Sequence, residues 1–276
     1  MDYLGIIMKI AIISGKGGVG KSSISTSLAK LFSKEFNIVA LDCDVDAPNF
    51  NLMFDVKDKK LLEVIYREIY EINDDCIRCG KCLDVCQFDA IGDFKINPIL
   101  CEGCGACELI CEFDAIEPIK RESGYIYEGF VGFPLIWGEL EVGESGSGKI
   151  IEHIKNHAKK YKAELGIIDG PPGVGCPLIS TVKDVDLALC IVEPTKSSVN
   201  DCLRLIETLN FFNVEYLIVE NKKGMNNINY PFKIFHSIPF DFDVPKLIAN
   251  KILLCDSNSK VSESIKELYE KLKEFI

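Results

Sequence analysis

Eight of the chain's thirteen cysteines fall between Cys76 and Cys111, and they form a repeat. Cys76-x-x-Cys79-Gly-x-Cys82-x-x-x-Cys86-x-Phe-Asp-Ala-Ile91 returns 25 residues later as Cys101-x-x-Cys104-Gly-x-Cys107-x-x-x-Cys111-x-Phe-Asp-Ala-Ile116. Thiolates are soft ligands, and a doubled C-x2-C-x2-C-x3-C run is a spacing that holds two [4Fe–4S] clusters. In such runs three cysteines curl around one cube and the fourth ligates the other. This assigns Cys76, Cys79, Cys82 and Cys111 to one cluster and Cys101, Cys104, Cys107 and Cys86 to the second. Zinc is the competing reading, since C-x2-C pairs also build zinc ribbons. Overlapping triples of cysteine, twice over, supply more thiolates than it needs. Gln87 and Glu112 follow the fourth cysteine of each run, where proline is usual, which affects the turn more than the ligation. Asp84, Asp89, Glu102, Glu108, Glu112 and Asp114 surround the runs, and their field opposes an added electron, predicting a low reduction potential.

A second group of residues is suited to phosphate. The β-branched run Lys9-Ile-Ala-Ile-Ile-Ser14 leads directly into Gly15-Lys-Gly-Gly-Val-Gly-Lys-Ser22, and Ile24, Leu28, Leu31 and Phe32 then recur at helical spacing. Strand, glycine loop and helix are the context that gives a G-x-x-x-x-G-K-[ST] match its meaning. Backbone N–H groups of Gly15, Lys16, Gly17, Gly18, Val19 and Gly20 can curl around phosphates, and the helix start at Lys21, Ser22 and Ser23 adds its positive dipole end. Lys21 is expected to reach the terminal phosphates and Ser22 to ligate Mg²⁺. Two further runs end in acids: residues 37–41 lead into Asp42-Cys-Asp44-Val-Asp46, and Leu165-Gly-Ile-Ile leads into Asp169. Acids at strand C-terminal ends lie where open α/β sheets bind ligands.

The elements that must position these groups are those of an α/β protein. Strands are predicted near residues 9–14, 37–42, 165–169, 187–192, 214–220 and 233–238, in a doubly wound, mostly parallel sheet flanked by helices. The cysteine segment lies between the Asp44 loop and the Asp169 strand, so it reads as an insertion. Three segments follow: residues 1–66, the first part of a nucleotide domain; 67–120, a small α+β module of two-cluster ferredoxin type; and 121–276, the rest of the nucleotide domain.

Lys16-Gly-Gly-Val-Gly-Lys-Ser22 resembles the deviant Walker A motif of the MinD, ParA and nitrogenase iron-protein superfamily. The whole chain resembles the members that carry an inserted ferredoxin domain, through Asp169-Gly-Pro-Pro-Gly-Val-Gly-Cys176-Pro177 and Glu193-Pro-Thr195 as well. The resemblance implies an ATP-dependent homodimer in which Lys16 reaches the partner's nucleotide. It implies a water-orienting aspartate at Asp44, or second at Asp42, Mg²⁺ held through water by Asp169, and a switch at Gly170-Pro-Pro-Gly173. Leu217-Ile-Val-Glu-Asn221-Lys222 is similar to a base-recognition strand end. Gly224 stands where GTPases carry a guanine-binding aspartate, so adenine, contacted by Asn221, is expected. The implied function is a P-loop ATPase gating electron transfer through two clusters, with an iron–sulfur carrier or assembly ATPase as the alternative and a positioning or partitioning ATPase as a third. Its partner is then a redox protein or an iron–sulfur client protein.

Composition narrows the classes. A net charge of −11 repels phosphate backbones, which argues against nucleic acid. No apolar run approaches the ~20 residues of a membrane span. The first 14 residues have no basic leader or small-residue cleavage site, so they read as entering the first strand, with Met8 as an alternative start, and a cytoplasmic protein is expected. Gly143-Glu-Ser-Gly-Ser-Gly-Lys149-Ile150 imitates a Walker A motif but ends in Ile150, which cannot bind Mg²⁺, and no β-branched strand precedes it. It reads as a glycine loop opening a helix near 150–161, with Lys149 as a candidate contact to a partner's phosphate. His153 and His157 on that helix read as a solvated pair and the amphipathic segment 260–276 as packed on the core, while Cys176 reads as a small buried residue, with a resemblance to the cluster-ligating switch cysteine of the nitrogenase iron protein as the alternative.

Overall fold

The computed structural model describes residues 5–276. Leu4, at the head of the run expected to enter the first strand, lies outside the described residues, as does Met1. Two compact units emerge. Of the described residues, one comprises 5–62, 126–139 and 147–276, and the other comprises 63–125 and 140–146.

In the larger unit β1 (Met8–Ser14) pairs in parallel with β8 (Leu165–Pro172) on one side and β9 (Leu187–Val192) on the other. Beyond β8 lie β2 (Ile38–Asp42) and β7 (Pro134–Leu140), and beyond β9 lie β10 (Glu215–Lys223) and β11 (His236–Pro239), all parallel. The chain winds outward both ways from β1, which puts a switch point, and a ligand crevice, at the carboxyl end of that strand.

The central strands are apolar on both faces because helices cover both. Ile10, Ile12, Ile38, Ala40, Leu165, Ile167, Leu187 and Leu189 share one core with Ile24, Leu28 and Phe32 of α1 (Lys21–Phe32) and Val261, Ile265, Leu268 and Leu272 of α9 (Lys260–Leu272). The alternate residues Ala11, Ile13, Val39, Leu41, Ile168 and Ala188 are equally buried on the opposite face, as period-two side-chain alternation requires. At ~25 cal/mol per Å² of apolar surface, each such Leu or Ile contributes about 1.5–3 kcal/mol. The α9 stripe therefore docks the tail on the core.

The structure adds strands that the sequence reading omitted. β7 runs directly before the Gly143 loop, contrary to expectation. It holds the chain's one tryptophan, Trp137, fully buried, stacked on Tyr127 and opposite Asp42 in register. A three-residue turn joins it to β6 (Ile116–Phe130). The glycine loop then opens α5 (Ser147–Ala158), three residues before the predicted start.

In the smaller unit β3 (Lys60–Ile72) follows β6 in the strand order, and a hairpin of β4 (Ile91–Gly92) and β5 (Lys95–Ile96) closes the first cysteine run. The sequence repeat is also a backbone repeat. Gly80 (φ 88°) precedes α3 (Lys81–Val85) as Gly105 (φ 74°) precedes α4 (Ala106–Ile110). Asp89 (φ 50°) and Asp114 (φ 49°) take the same left-handed turn. Ile69, Tyr70, Ile91 and Ile116 form this unit's own core around Cys82, Cys101 and Cys107.

Candidate nucleotide and cluster sites

The glycine loop leaves β1 and enters α1 with Gly20 at φ 93°, a conformation that favours glycine. A Cβ there would meet the Asn221 amide nitrogen at 2.4 Å. Asn221 donates to the Val19 carbonyl at 2.8 Å, tying the end of β10 to the loop. Beside it a pocket is lined by Gly18, Gly20, Asn221, Pro239, Phe240 and Val244. Ser23, Lys222 and Asp241 add polar groups to an otherwise apolar wall, a combination that suits a planar base.

Carboxylates from β8 and from the loop after β2 converge on Lys21. Its Nζ lies 2.9 Å from Asp169 Oδ1 and 3.7 Å from Asp44 Oδ2. Burial would lower the Lys21 pKa, but Asp169, Asp44 and Asp42 together raise it. Ser25 on α1 donates to the same Asp169 oxygen at 2.8 Å. Asp169 Oδ2 is buried with no hydrogen-bond partner, the one such side-chain atom among the described residues. A buried lone-pair donor of this kind is costly unless a ligand, water or ion meets it, which fits a hydrated Mg²⁺ beside Ser22.

The two aspartates of the Asp42-Cys-Asp44 segment separate by environment. Asp42 is fully buried and accepts from the backbone N–H groups of Asp44, Asn49 and Phe50, so it fixes the loop into the short helix α2 (Phe50–Met53). Burial, with Asp169 nearby, raises its pKa. Asp44 keeps an opening to solvent, and burial, opposed by Lys21, pushes its carboxyl up to about 6.

Lys16, expected to reach a partner, lies 3.1 Å from Glu193, which Lys222 meets at 2.7 Å while also donating to the Gly18 carbonyl. Burial raises the Glu193 pKa, but hydrogen bonds from Lys222 and Lys16 more than reverse this and hold it low. Sequence reasoning quoted Glu193 and Lys222 only as parts of motifs, because an ion pair 177 residues apart has no local signal. Gly15, Gly17, Ser22 and Ser23 sit in the loop or at the helix start, around the same site.

The smaller unit contains two cavities. Cys76, Cys79, Cys82 and Cys111 line one, with Ile77, Phe94 and Phe113. Cys101, Cys104, Cys107 and Cys86 line the other, with Tyr70, Phe88 and Ile96. Each is therefore a three-plus-one set of thiols inside an apolar wall. Burial pushes the Cys82 and Cys107 thiols up, and backbone N–H groups at the starts of α3 and α4 pull against it. Among the described residues no three Cys, His, Asp or Glu converge closely enough for a single ion. Thiols spread around a cavity suit a polynuclear cube.

A model of the CobQ/CobB/MinD/ParA nucleotide binding domain matches residues 10–254. The chain belongs to this family. Within the CobQ/CobB/MinD/ParA domain group it is 32% identical over 242 residues to an uncharacterised protein of Methanocaldococcus jannaschii, covering 85% of this chain and 87% of that one. It is 28% identical to a Pyrococcus abyssi protein named iron-sulfur cluster carrier protein, over 77% of this chain and 61% of the other. The cell division ATPase MinD of Pyrococcus furiosus superposes with a TM-score of 0.63 at 16% identity, covering 98% of this chain and 100% of that one, which establishes a shared fold.

The remaining expectations divide. Cys176 heads the short helix α6 (Cys176–Val182) and is exposed, contrary to the buried reading, because it follows the open loop 173–175. His153 and His157 lie on α5 and join no three-residue metal group among the described residues. No described helix is long and apolar enough to cross a membrane.

Proposed function

We propose that the chain is an ATP-hydrolysing, cytoplasmic iron–sulfur protein that works as a homodimer and uses nucleotide to gate electron transfer through two [4Fe–4S] clusters. The observation that carries this reading is the pair of three-plus-one thiol cavities in one polypeptide with a P-loop whose lysine, serine and aspartates converge. The clusters supply one-electron chemistry when bound. Cys76, Cys79, Cys82 and Cys111 hold one, and Cys101, Cys104, Cys107 and Cys86 the other, in a module near residues 67–120.

At the nucleotide site the loop N–H groups and Lys21 take the phosphates, Ser22 and Asp169 hold Mg²⁺, and Asn221 faces adenine. An incoming γ-phosphate competes with Asp169 and Asp44 for Lys21. Asp44, released from that pair, accepts a hydrogen bond from the attacking water and orients it. Because Asp169 leads straight into Gly170-Pro-Pro-Gly173, a change at its carboxylate passes to the switch. Lys16 leaves Glu193 to reach the partner's nucleotide. The electron partner is a separate redox protein.

A second reading, an iron–sulfur cluster carrier acting on client proteins, is favoured by archaeal relatives with that name. Anaerobic purification with iron and sulfide counting, then EPR with and without ATP–Mg²⁺, tests both. Eight irons per chain and a nucleotide-dependent spectrum or potential are expected. Zinc, no metal, or identical redox behaviour with and without nucleotide refutes the gating reading, and rapid cluster transfer to an apo-protein favours the carrier.

A further inference from the structure

The Walker-like segment before α5 carries a buried ion-pair network. Its Glu144 is buried, with a side chain 0% exposed, although it stands among glycines and serines. Two arginines account for this. Arg67 on β3 donates through Nε to one Glu144 oxygen, and Arg121 on β6 donates through Nε to the other at 2.5 Å. The rest of the Arg67 fork is spent on the second cysteine run: Nη1 donates to the Cys101 carbonyl at 2.5 Å and Nη2 to the Pro98 carbonyl at 2.6 Å. Arg67 thus presents a guanidinium, its side chain only 13% exposed, directly on the backbone of one cysteine ligand.

The first run has no counterpart. Asn73 stands 25 positions before Pro98, and the Cys76 amide simply donates to the Asn73 carbonyl at 3.3 Å. The cations at that cavity are Lys81, bonded to Glu112, and Arg78, over the ring of Phe94 that lines it, and all three charged side chains are exposed to screening water. Glu68 and Glu102 near the second cavity are exposed and Glu108 is half-buried, so water screens much of their charge. Two arginines against one glutamate leave a net charge of about +1 in a network whose Arg67 is largely buried on the Cys101 carbonyl, whereas Arg78, Lys81 and Glu112 beside the first cavity are exposed and screened. Positive charge near a cluster favours its reduced form, and burial preserves the effect.

Building on the two-cluster reading above, we infer that Arg67, Arg121 and Glu144 make the clusters unequal, so that the cluster on Cys101, Cys104, Cys107 and Cys86 accepts an electron first. Each reduction is one electron per cube, taken from the external donor, with no bond made or broken. Arg67 and Glu144 are positioning residues with opposite signs of effect.

The test is an anaerobic EPR redox titration of the full-length, cluster-loaded protein with dithionite. Wild type shows two waves. Arg67→Gln shifts the upper wave to lower potential by at least tenfold in its reduction equilibrium, which is about 59 mV for one electron. Glu144→Gln shifts the same wave the other way. Lys81→Gln moves neither wave tenfold. Cys104→Ser alters the EPR signature of that upper wave, and Cys79→Ser alters the other. Iron and sulfide counts on each variant establish loading. Shifts of the same sign in Arg67→Gln and Glu144→Gln, a shift of both waves together, or no shift in loaded protein overturns the inference alone. Wild-type protein lacking eight irons overturns the two-cluster reading and this inference with it.

Discussion

Asp44 is expected to destabilise the fold that contains it. Its carboxyl sits beside Asp169 and Asp46 as well as Lys21, and burial outweighs the lysine, raising its pKa from 3.8 to about 6. The folded chain therefore holds this proton more tightly than the unfolded chain. Folding takes up a proton between those two values, so the contribution to stability worsens as pH rises through that window and levels off above it. At about 1.4 kcal/mol per pH unit the full penalty is ~3 kcal/mol at pH 8, and roughly half remains at pH 5. Asp44→Asn removes the charge and keeps the shape. Anaerobic scanning calorimetry of protein free of nucleotide and Mg²⁺ should find the variant more stable at pH 8 by up to ~3 kcal/mol, a rise of several °C for a chain of this size. The gap should narrow by about half at pH 5, and ATP hydrolysis should fall to background. A variant no more stable than wild type at pH 8, or a gap that does not depend on pH, refutes the reasoning.

Gly20→Ala places a Cβ at φ 93° and 2.4 Å from the Asn221 amide; the left-handed backbone alone costs about 1–2 kcal/mol, and nucleotide affinity by titration calorimetry should drop at least tenfold. Glu193→Gln removes the carboxylate that Lys16 and Lys222 share and should cost ~1.5–3 kcal/mol at pH 7, the range for hydrogen bonds to charged groups. Because the lysines hold the Glu193 pKa low, that contribution is present above the ordinary carboxylate range and is lost as pH falls through it. Urea melts at pH 7 and pH 4 should therefore show the wild-type advantage shrinking in acid.

The strand, glycine loop and helix of the first motif were legible because the signal is local. Strand, loop and helix are contiguous, and Ile24, Leu28 and Phe32 face the core at the spacing the sequence displays. The thiol repeat was legible as a spacing, and Cys86 and Cys111 each line the cavity of the other run. β3 was not, because Glu63, Arg67, Glu68 and Glu71 interrupt its apolar positions and the strand is only half buried. β6 carries Pro118, Gly124 and Gly129, which read as linker, and β7 holds Gly138 and Glu139 near its end with little β-branched content. Glu144 gave no sign of burial, since its partners lie 77 and 23 residues away. Cys176 was misread because small apolar-like residues are usually buried, while its open loop leaves it in solvent.

The indole of Trp137 gives the molecule an internal light source. It is the chain's one tryptophan, fully shielded, across the sheet from Asp42 on the strand that ends at the carboxylate cluster. Its N–H is anchored on Glu139 and its ring rests on Tyr127. Excited at wavelengths beyond tyrosine absorption, emission from unlabelled protein therefore originates at one known position beside the candidate nucleotide site, and stopped-flow mixing with ATP can time rearrangement there without attaching a dye.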